Sequence, residues 1–272
     1  MSPRRASRAS PGPRKARAVA NIWAIVRREV QSYFASPIAY VVLSFFIFLF
    51  GFFFYLYIVD FLGRGMGQEG FGGSQVQNLN QDLIRWLFQT TSVVILFIVP
   101  LLTMRTFSEE LRSGTIELLL TSPVTDFQVV MGKFLGAIAL YASMLALTLI
   151  HLGMLFLFGD PEWRPLLVNY LGLLLLGSAF ISLGLAFSSM TRNQIIAGLL
   201  AFGTFLFLWV IGDAENWAGA AASVISYLSV TKHYEQFAKG VIDLRDLVYY
   251  LSFIGLGLLL TKQSVESMRW RG

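Results

Sequence analysis

The sequence predicts an all-α integral membrane protein of six spans, and three observations carry that prediction. The 272 residues are 56% hydrophobic and 14% charged, against roughly 45–50% and 25% in a soluble globular domain. Five charge-free runs are long enough for a hydrocarbon core, which takes about 20 residues: Ile38 to Val59, Trp86 to Met104, Phe134 to Gly159, Pro165 to Thr191 and Asn193 to Gly212. A sixth, Leu247 to Thr261, reaches span length by recruiting flanks with Asp243, Arg245 and Asp246 at one interface and Lys262 at the other. Third, the charges fall on alternate sides. With the N-terminus cytoplasmic, 15 of the 21 Lys and Arg residues share the cytoplasmic side, the bias that orients membrane proteins. The spans are then placed at 38–59, 83–104, 133–159, 165–190, 193–212 and 244–262, within one domain over 19–262. Both termini are expected in the cytoplasm, with 263–272 as a short tail.

Residues 1–18 hold Arg, Ser, Ala and Pro without one acid, the composition of a disordered basic tail near anionic lipid. A transit peptide shares that composition. Arg4-Arg5 lacks the apolar core that would make it a cleaved twin-arginine signal. From Asn21 to Ser36 the pattern is helical, with Ile22, Val26, Val30 and Tyr33/Phe34 on one face and Arg27, Arg28 and Gln31 away from it. Asn21 is placed to cap this helix and Ser36-Pro37 to end it. A basic amphipathic helix before a span reads as an interfacial helix, or equally as an extension of the first span.

Two non-cytoplasmic stretches differ in kind. Gly65, Gly67 and Gly70 spell a formal G-x-G-x-x-G, but a dinucleotide site needs a strand before it and a helix after, so a loop is the better reading. Residues 213–245 are expected to form short helices between spans five and six. The uncharged stretch Asn216 to Thr231 admits re-entry into the membrane as well as a surface hairpin.

The charged segment between spans two and three is MRTFSEELRSGTIELLLTSP, residues 104–123. Thr106-Phe-Ser-Glu109 and Thr125-Asp-Phe-Gln128 both have the form of a capping box, so two helices are expected to start here. On a helix from Phe107 to Leu120, Phe107, Leu111, Gly114 and Leu118 form one stripe, with Glu109, Arg112 and Ser113 roughly opposite. A Glu109–Arg112 pair supplies only about 0.2–0.5 kcal/mol, too little to account for the charges. Arg at the bilayer centre costs about 3 kcal/mol, so the helix belongs at or below the interface. An idle linker and a docking element both fit.

These residues resemble the first cytoplasmic loop of type-2 ATP-binding-cassette (ABC-2 type) permeases. Arg105-Thr-Phe-Ser-Glu-Glu110, Gly114-Thr115, Glu117-Leu-Leu-Leu and Ser122-Pro123 carry the likeness. IVRREVQSYFASPIAYVV at 25–42, VMGKFLGAIAL at 130–140 and TRNQIIAG at 191–198 bring it closest to the gliding-motility-associated permease branch. The resemblance implies an N-terminal interfacial helix bearing Arg27 and Arg28, six spans, and two subunits forming a pathway in the bacterial inner membrane. It also implies a separate cytoplasmic ATPase dimer, holding ATP and Mg, docked on a coupling helix after span two. Phe107, Glu109, Glu110, Arg112, Gly114, Thr115, Glu117 and Leu118 are the coupling residues on this reading, with Gly114 allowing close approach. The branch is tied to no substrate. An exporter, and a membrane component that passes ATP-driven motion to a periplasmic or surface partner without moving solute, are both compatible with it.

Other chemistry is poorly supported. Gly132-Lys133 has Phe127 and Phe134 where a phosphate loop needs Gly and Ser or Thr, so no nucleotide site and no bound cofactor is expected on this chain. His151 and His233 lie far apart in a chain without cysteine, unlike a metal set. Ser143 stands two turns from His151, too far for a nucleophile and base, so no catalytic residue is assigned. The +5 charge is accounted for by topology rather than nucleic acid. His151, inside span three, is expected to hold a hydrogen-bonded packing role, and Pro100 either to kink span two or to adjust its packing.

Overall fold

The computed structural model describes residues 14–67, 78–117, 123–212 and 226–269. Residues 1–13 of the expected tail, part of the glycine-rich stretch, residues 118–122 with the expected coupling residue Leu118, and residues 213–225 lie outside the described residues. The described residues are helical, in nine α-helices: α1 (Arg14–Ala35), α2 (Pro37–Gly67), α3 (Arg85–Thr103), α4 (Ser108–Ser113), α5 (Asp126–Phe158), α6 (Trp163–Met190), α7 (Gln194–Val210), α8 (Val230–Ala238) and α9 (Leu244–Arg269). A π-helical turn, Asn80–Ile84, leads into α3.

Five helical stretches are long and apolar enough to cross a membrane: Pro37–Gly63, Asn80–Ser113, Asp126–Phe158, Trp163–Met190 and Leu244–Arg269. The weakest sequence prediction, the last span, is among them. The stretch expected at 193–212 is instead the 17-residue α7, about 26 Å long at 1.5 Å per residue. Its start is fixed by Asn193, whose Oδ1 accepts from Ile195 N at 2.9 Å.

Burial ranks the helices. In α6, 83% of the most apolar window is buried within the chain, against 22% in α2, so α6 is the post around which the others stand. Small residues make this possible, because apolar side chains gain little from association inside lipid and close approach decides packing. A Cβ at Gly177 would overlap the Tyr141 ring of α5, one at Gly184 the Thr103 side chain of α3, and one at Gly172 the Phe237 side chain of α8. Gly257 of α9 faces Ser182 in the same way. Tyr141 then donates to Leu173 O at 2.6 Å, and Phe180 stacks on Phe205 of α7 at 4.2 Å.

Several expected boundaries shift. α1 is already helical at Arg14, so Asn21 lies inside it rather than capping it, and the end of the expected tail is helical. Its buried face holds Ile25, Val26 and Glu29, rotated from the face drawn through Val30. α2 carries the first of the loop glycines, through Gly67. α8 confirms a short helix between α7 and α9; its buried His233 meets Asp246 Oδ1 at 2.7 Å and Tyr227 O at 2.9 Å. His151 packs between Phe50 and Phe54, each ring 5.5 Å away, over Gly51. Its Nδ1 is buried without a hydrogen bond among the described residues, so the packing part of the expected role is seen there and the hydrogen bond is not.

Candidate functional site

The segment between α3 and α5 is built differently from its sequence expectation. Thr106 does not cap a helix there. α3 ends at Thr103, a turn follows, and α4 has Phe107 at its N-cap without a side-chain cap bond. A residue from α6 does the capping instead: Ser188 Oγ accepts from Phe107 N at 3.0 Å and Ser108 N at 3.1 Å, and donates to Met104 O at 3.0 Å. Ser108 Oγ also donates to Met104 O. One hydroxyl thus satisfies two of the donors a helix start leaves unpaired, and pins α4 to the central helix. Ser188→Ala is expected to cost about 1–3 kcal/mol, the penalty of stranding buried polar groups. Thermal unfolding of the purified variant checks this, and an unchanged midpoint would count against the tie.

Gly114 ends α4 with φ +74° and ψ 0°, the left-handed terminus that glycine adopts without strain. No atom of this chain lies within 4 Å of where its Cβ would sit, so the glycine serves the backbone conformation here. The helix is therefore only six residues long, not the fourteen drawn from Phe107 to Leu120. Phe107 is fully buried, Leu111 packs half-buried against the core and Ile116 is buried. Glu109, Arg112, Ser113, Gly114, Thr115 and Glu117 are exposed. Glu109 pairs with Arg105 at 3.1 Å rather than with Arg112.

Glu110 turns inward, away from that exposed set. The Lys133 ammonium, on a side chain 1% exposed, donates to Glu29 Oε1, Glu110 Oε1 and Thr106 O, each at 2.9 Å. It also stands 5.0 Å from the centre of the Phe107 ring, a cation–π distance. Arg28 reaches Glu110 Oε1 at 3.1 Å and Glu29 Oε1 at 3.4 Å. Two acids and two bases from α1, α4 and α5 thereby share one cluster. Tyr33 of α1 shares a hydrogen bond with Thr106 Oγ1 at 3.3 Å. Burial, then the Glu29 charge, pushes its phenol well above the usual tyrosine range, so it stays neutral. Arg27 is exposed and takes no part in these contacts.

Local sequence explains why α1 comes close enough. Gly132 and Gly136 sit four apart on α5, and a Cβ there would collide with Ile25 and Glu29 of α1 respectively. This is the small-xxx-small pattern that lets helices approach closely. At the start of α5 the Thr125 capping box forms as expected: Thr125 Oγ1 accepts from Gln128 N, and Gln128 Oε1 from Thr125 N. Gln128 Oε1 also accepts from Asn21 Nδ2 at 3.3 Å, which adds a second tie to α1.

The sequence reading missed Lys133 and Glu29 as a pair. Two signals pointed to them: a lone Lys inside an apolar run between glycines, and Glu29 one turn on from Ile25 and Val26, with which it is buried. What remained invisible was which acid would meet that Lys.

The family model for ABC-2 family transporter proteins matches residues 23–261, a range that includes α2 to α8 whole and most of α1 and α9. The chain belongs to the ABC-2 transporter family. None of the curated proteins compared with it matches. Family membership makes this ABC-2 chain a multi-pass membrane subunit of an ABC transporter, not itself catalytic, and implies an ABC ATPase as its partner. On the ABC-2 chain the exposed side of α4 and its following turn is the charged, capped surface, and the Lys133 cluster lies directly behind it.

Proposed function

We propose that this chain is the permease half of an ABC exporter of the bacterial inner membrane, coupled to its ATPase through α4. Two copies form the pathway, and both termini are cytoplasmic. One observation carries the reading: Glu110 of α4 shares Lys133 with Glu29 of α1. A push on the exposed residues of α4 therefore reaches α5 and the interfacial helix together, through a Lys133 ammonium that is itself almost fully shielded. The Ser188 tie passes the same push to α6. ATP-driven closure of the partner would move this joint as one two-state element.

In this reading α7 is the fifth of six spans, accommodated by local thinning or by flanking residues that reach the interface, because about 26 Å falls short of the ~30 Å hydrocarbon core. Arg28 and the other basic residues of α1 lie toward lipid headgroups. The likeness to the gliding-motility branch supports a place beside those permeases, and leaves open to test whether solute moves.

Affinity purification from native membranes is expected to recover an ABC ATPase with this chain; recovery of none sinks the coupling assignment. Gly114→Leu forces a β-carbon into left-handed backbone, a strain of roughly 1–2 kcal/mol, and stands on the exposed face. Glu117→Arg reverses a charge there. Each is expected to abolish transport-linked ATPase activity with the fold retained, measured in proteoliposomes. Full activity in both variants would place docking elsewhere. For topology, Ser113→Cys is the reporter, as the chain has no native cysteine; an impermeant thiol reagent is expected to spare it in intact cells.

A further inference from the structure

Three residues of α9, spaced to share one face of the helix, hold the segment that begins α8. Tyr249 donates its phenol hydrogen to Leu228 O at 2.7 Å and Tyr250 to Val230 O at 2.9 Å. Asp246, in the first turn of α9, meets His233. The His233 ring also stacks on that of Tyr249, centroids 3.8 Å apart, and stands edge-on to Tyr227 at 5.0 Å. Both members of the His233–Asp246 pair are buried, while Tyr227 beside them is exposed, so solvent lies one residue away.

A count of hydrogens at this ring is decisive. Nε2 lies 2.9 Å from Tyr227 O and Nδ1 lies 2.7 Å from Asp246 Oδ1. A backbone carbonyl only accepts, so Nε2 carries a hydrogen, and a second one lies between Nδ1 and the carboxyl group. Neutral imidazole has one N–H and an ionised carboxylate has none. The pair therefore holds one proton more than neutral histidine beside ionised aspartate. The N-terminus of α9 favours a carboxylate and the face of Tyr249 favours a cation, which makes the pair imidazolium against carboxylate. Asp246 Oδ2 has no hydrogen-bond partner among the described residues, so this carboxylate depends on the His233 proton. The other elements packed on α8 make no ion pair with the ring among the described residues. α3 meets α8 through Phe88 O, which accepts from Tyr234, and α6 through Gly172, against Phe237 and Tyr234. Gly212, just past α7, faces Ser229 and Thr231. On α8 itself Glu235 and Lys239 stand 4.0 Å apart and Lys232 is half-buried.

We propose that His233 and Asp246 form a proton-held latch, which docks α8 on α9 at the non-cytoplasmic face in acid and lets go as the pH there rises. Loss of the shared proton leaves an imidazole lone pair facing either the Tyr227 carbonyl or the Asp246 carboxylate, with no donor to replace it. The two phenol hydrogen bonds then hold the start of α8 alone. Which face sets the latch rests on the topology proposed above; the latch itself does not.

The full chain in detergent tests this, since without native cysteine a single introduced thiol reports its own position. Val230→Cys, buried at the start of α8, and Val241→Cys, exposed beyond its end, are labelled with one thiol reagent. The ratio of the two rates removes the effect of pH on the thiol. A buried thiol reacts through local opening, so the Val230→Cys rate relative to Val241→Cys is expected to rise about tenfold, the worth of one charge-assisted hydrogen bond. The rise is expected between about pH 5 and 8, where histidine changes charge. Asp246→Asn supplies the second hydrogen from its own amide at every pH. It is expected to keep the ratio low and level across that range, with an unfolding midpoint that shows the fold intact. A level ratio in the parent overturns the latch, as does an Asp246→Asn ratio that follows pH as the parent does. Labelling of Ser113→Cys from outside intact cells, with the pH course retained, overturns only the face assigned to the latch.

Discussion

Lys133→Met is expected to destabilise the protein by about 3–5 kcal/mol, the cost of removing one partner from a buried ion cluster. Its ammonium is the common donor to Glu29, Glu110 and the Thr106 carbonyl, so the variant leaves two carboxylates facing each other across an apolar gap with only Arg28 nearby. The loss is expected as a lower unfolding midpoint in a fixed detergent, together with loss of transport-linked ATPase activity. A second variant separates stability from function. Adding Glu29→Leu and Glu110→Leu to Lys133→Met removes the whole cluster, and such replacements are often neutral or stabilising. The triple variant is expected to regain much of the midpoint and none of the coupling. Recovery of both would show that the cluster only holds the fold together. An unchanged midpoint in the single variant would mean that Lys133 is not in the buried arrangement described.

Gly136→Leu is expected to do comparable harm by another route. A Cβ at this position would stand 2.7 Å from Glu29 Cβ, so a leucine cannot fit unless α1 lifts from α5. Overpacking of this kind typically costs 1–3 kcal/mol. Here the displaced helix also carries Glu29 away from Lys133. The readout is local: Val26→Cys, buried in the parent, is expected to react with a thiol reagent several-fold faster when Gly136→Leu is present. Equal reactivity in the two backgrounds would show that α1 stays seated and that the close approach at Gly136 is not needed.

The membrane class and five spanning helices were legible because hydrocarbon thickness imposes a length on apolar runs, and composition reports it directly. The Thr125 capping box was legible for a related reason, as donor and acceptor lie three residues apart and close on each other locally. Thr106 carries the same local pattern and was misread. There the competing partner, Ser188, comes from α6, and no pattern within residues 104–113 contains it. Glu110 illustrates the same limit. Its helical position marks it as polar and surface-directed, while a buried Lys on another helix turns it inward. The left-handed helix end at Gly114 was not foreseen, because periodicity carries no sign of a positive φ. The length of α4 was overdrawn for that reason, since a left-handed glycine stops the helix that periodicity alone would continue to Leu120. The ABC-2 loop resemblance drew attention to this segment. Its internal geometry depended on contacts from α1, α5 and α6 that only the fold assembles.

The seclusion of Lys133 also sets how the joint responds to salt. Ions in solution screen exposed charges over about 10 Å at 0.1 M and about 3 Å at 1 M, and they act on pairs such as Arg105–Glu109 and Lys262–Glu266, whose side chains are open to solvent. The Lys133 contacts are far less open to solvent than these. Raising ionic strength should therefore loosen the rim of this loop while its centre stays clamped, so that a partner held at the rim by charge is released by salt before the permease itself loses its shape.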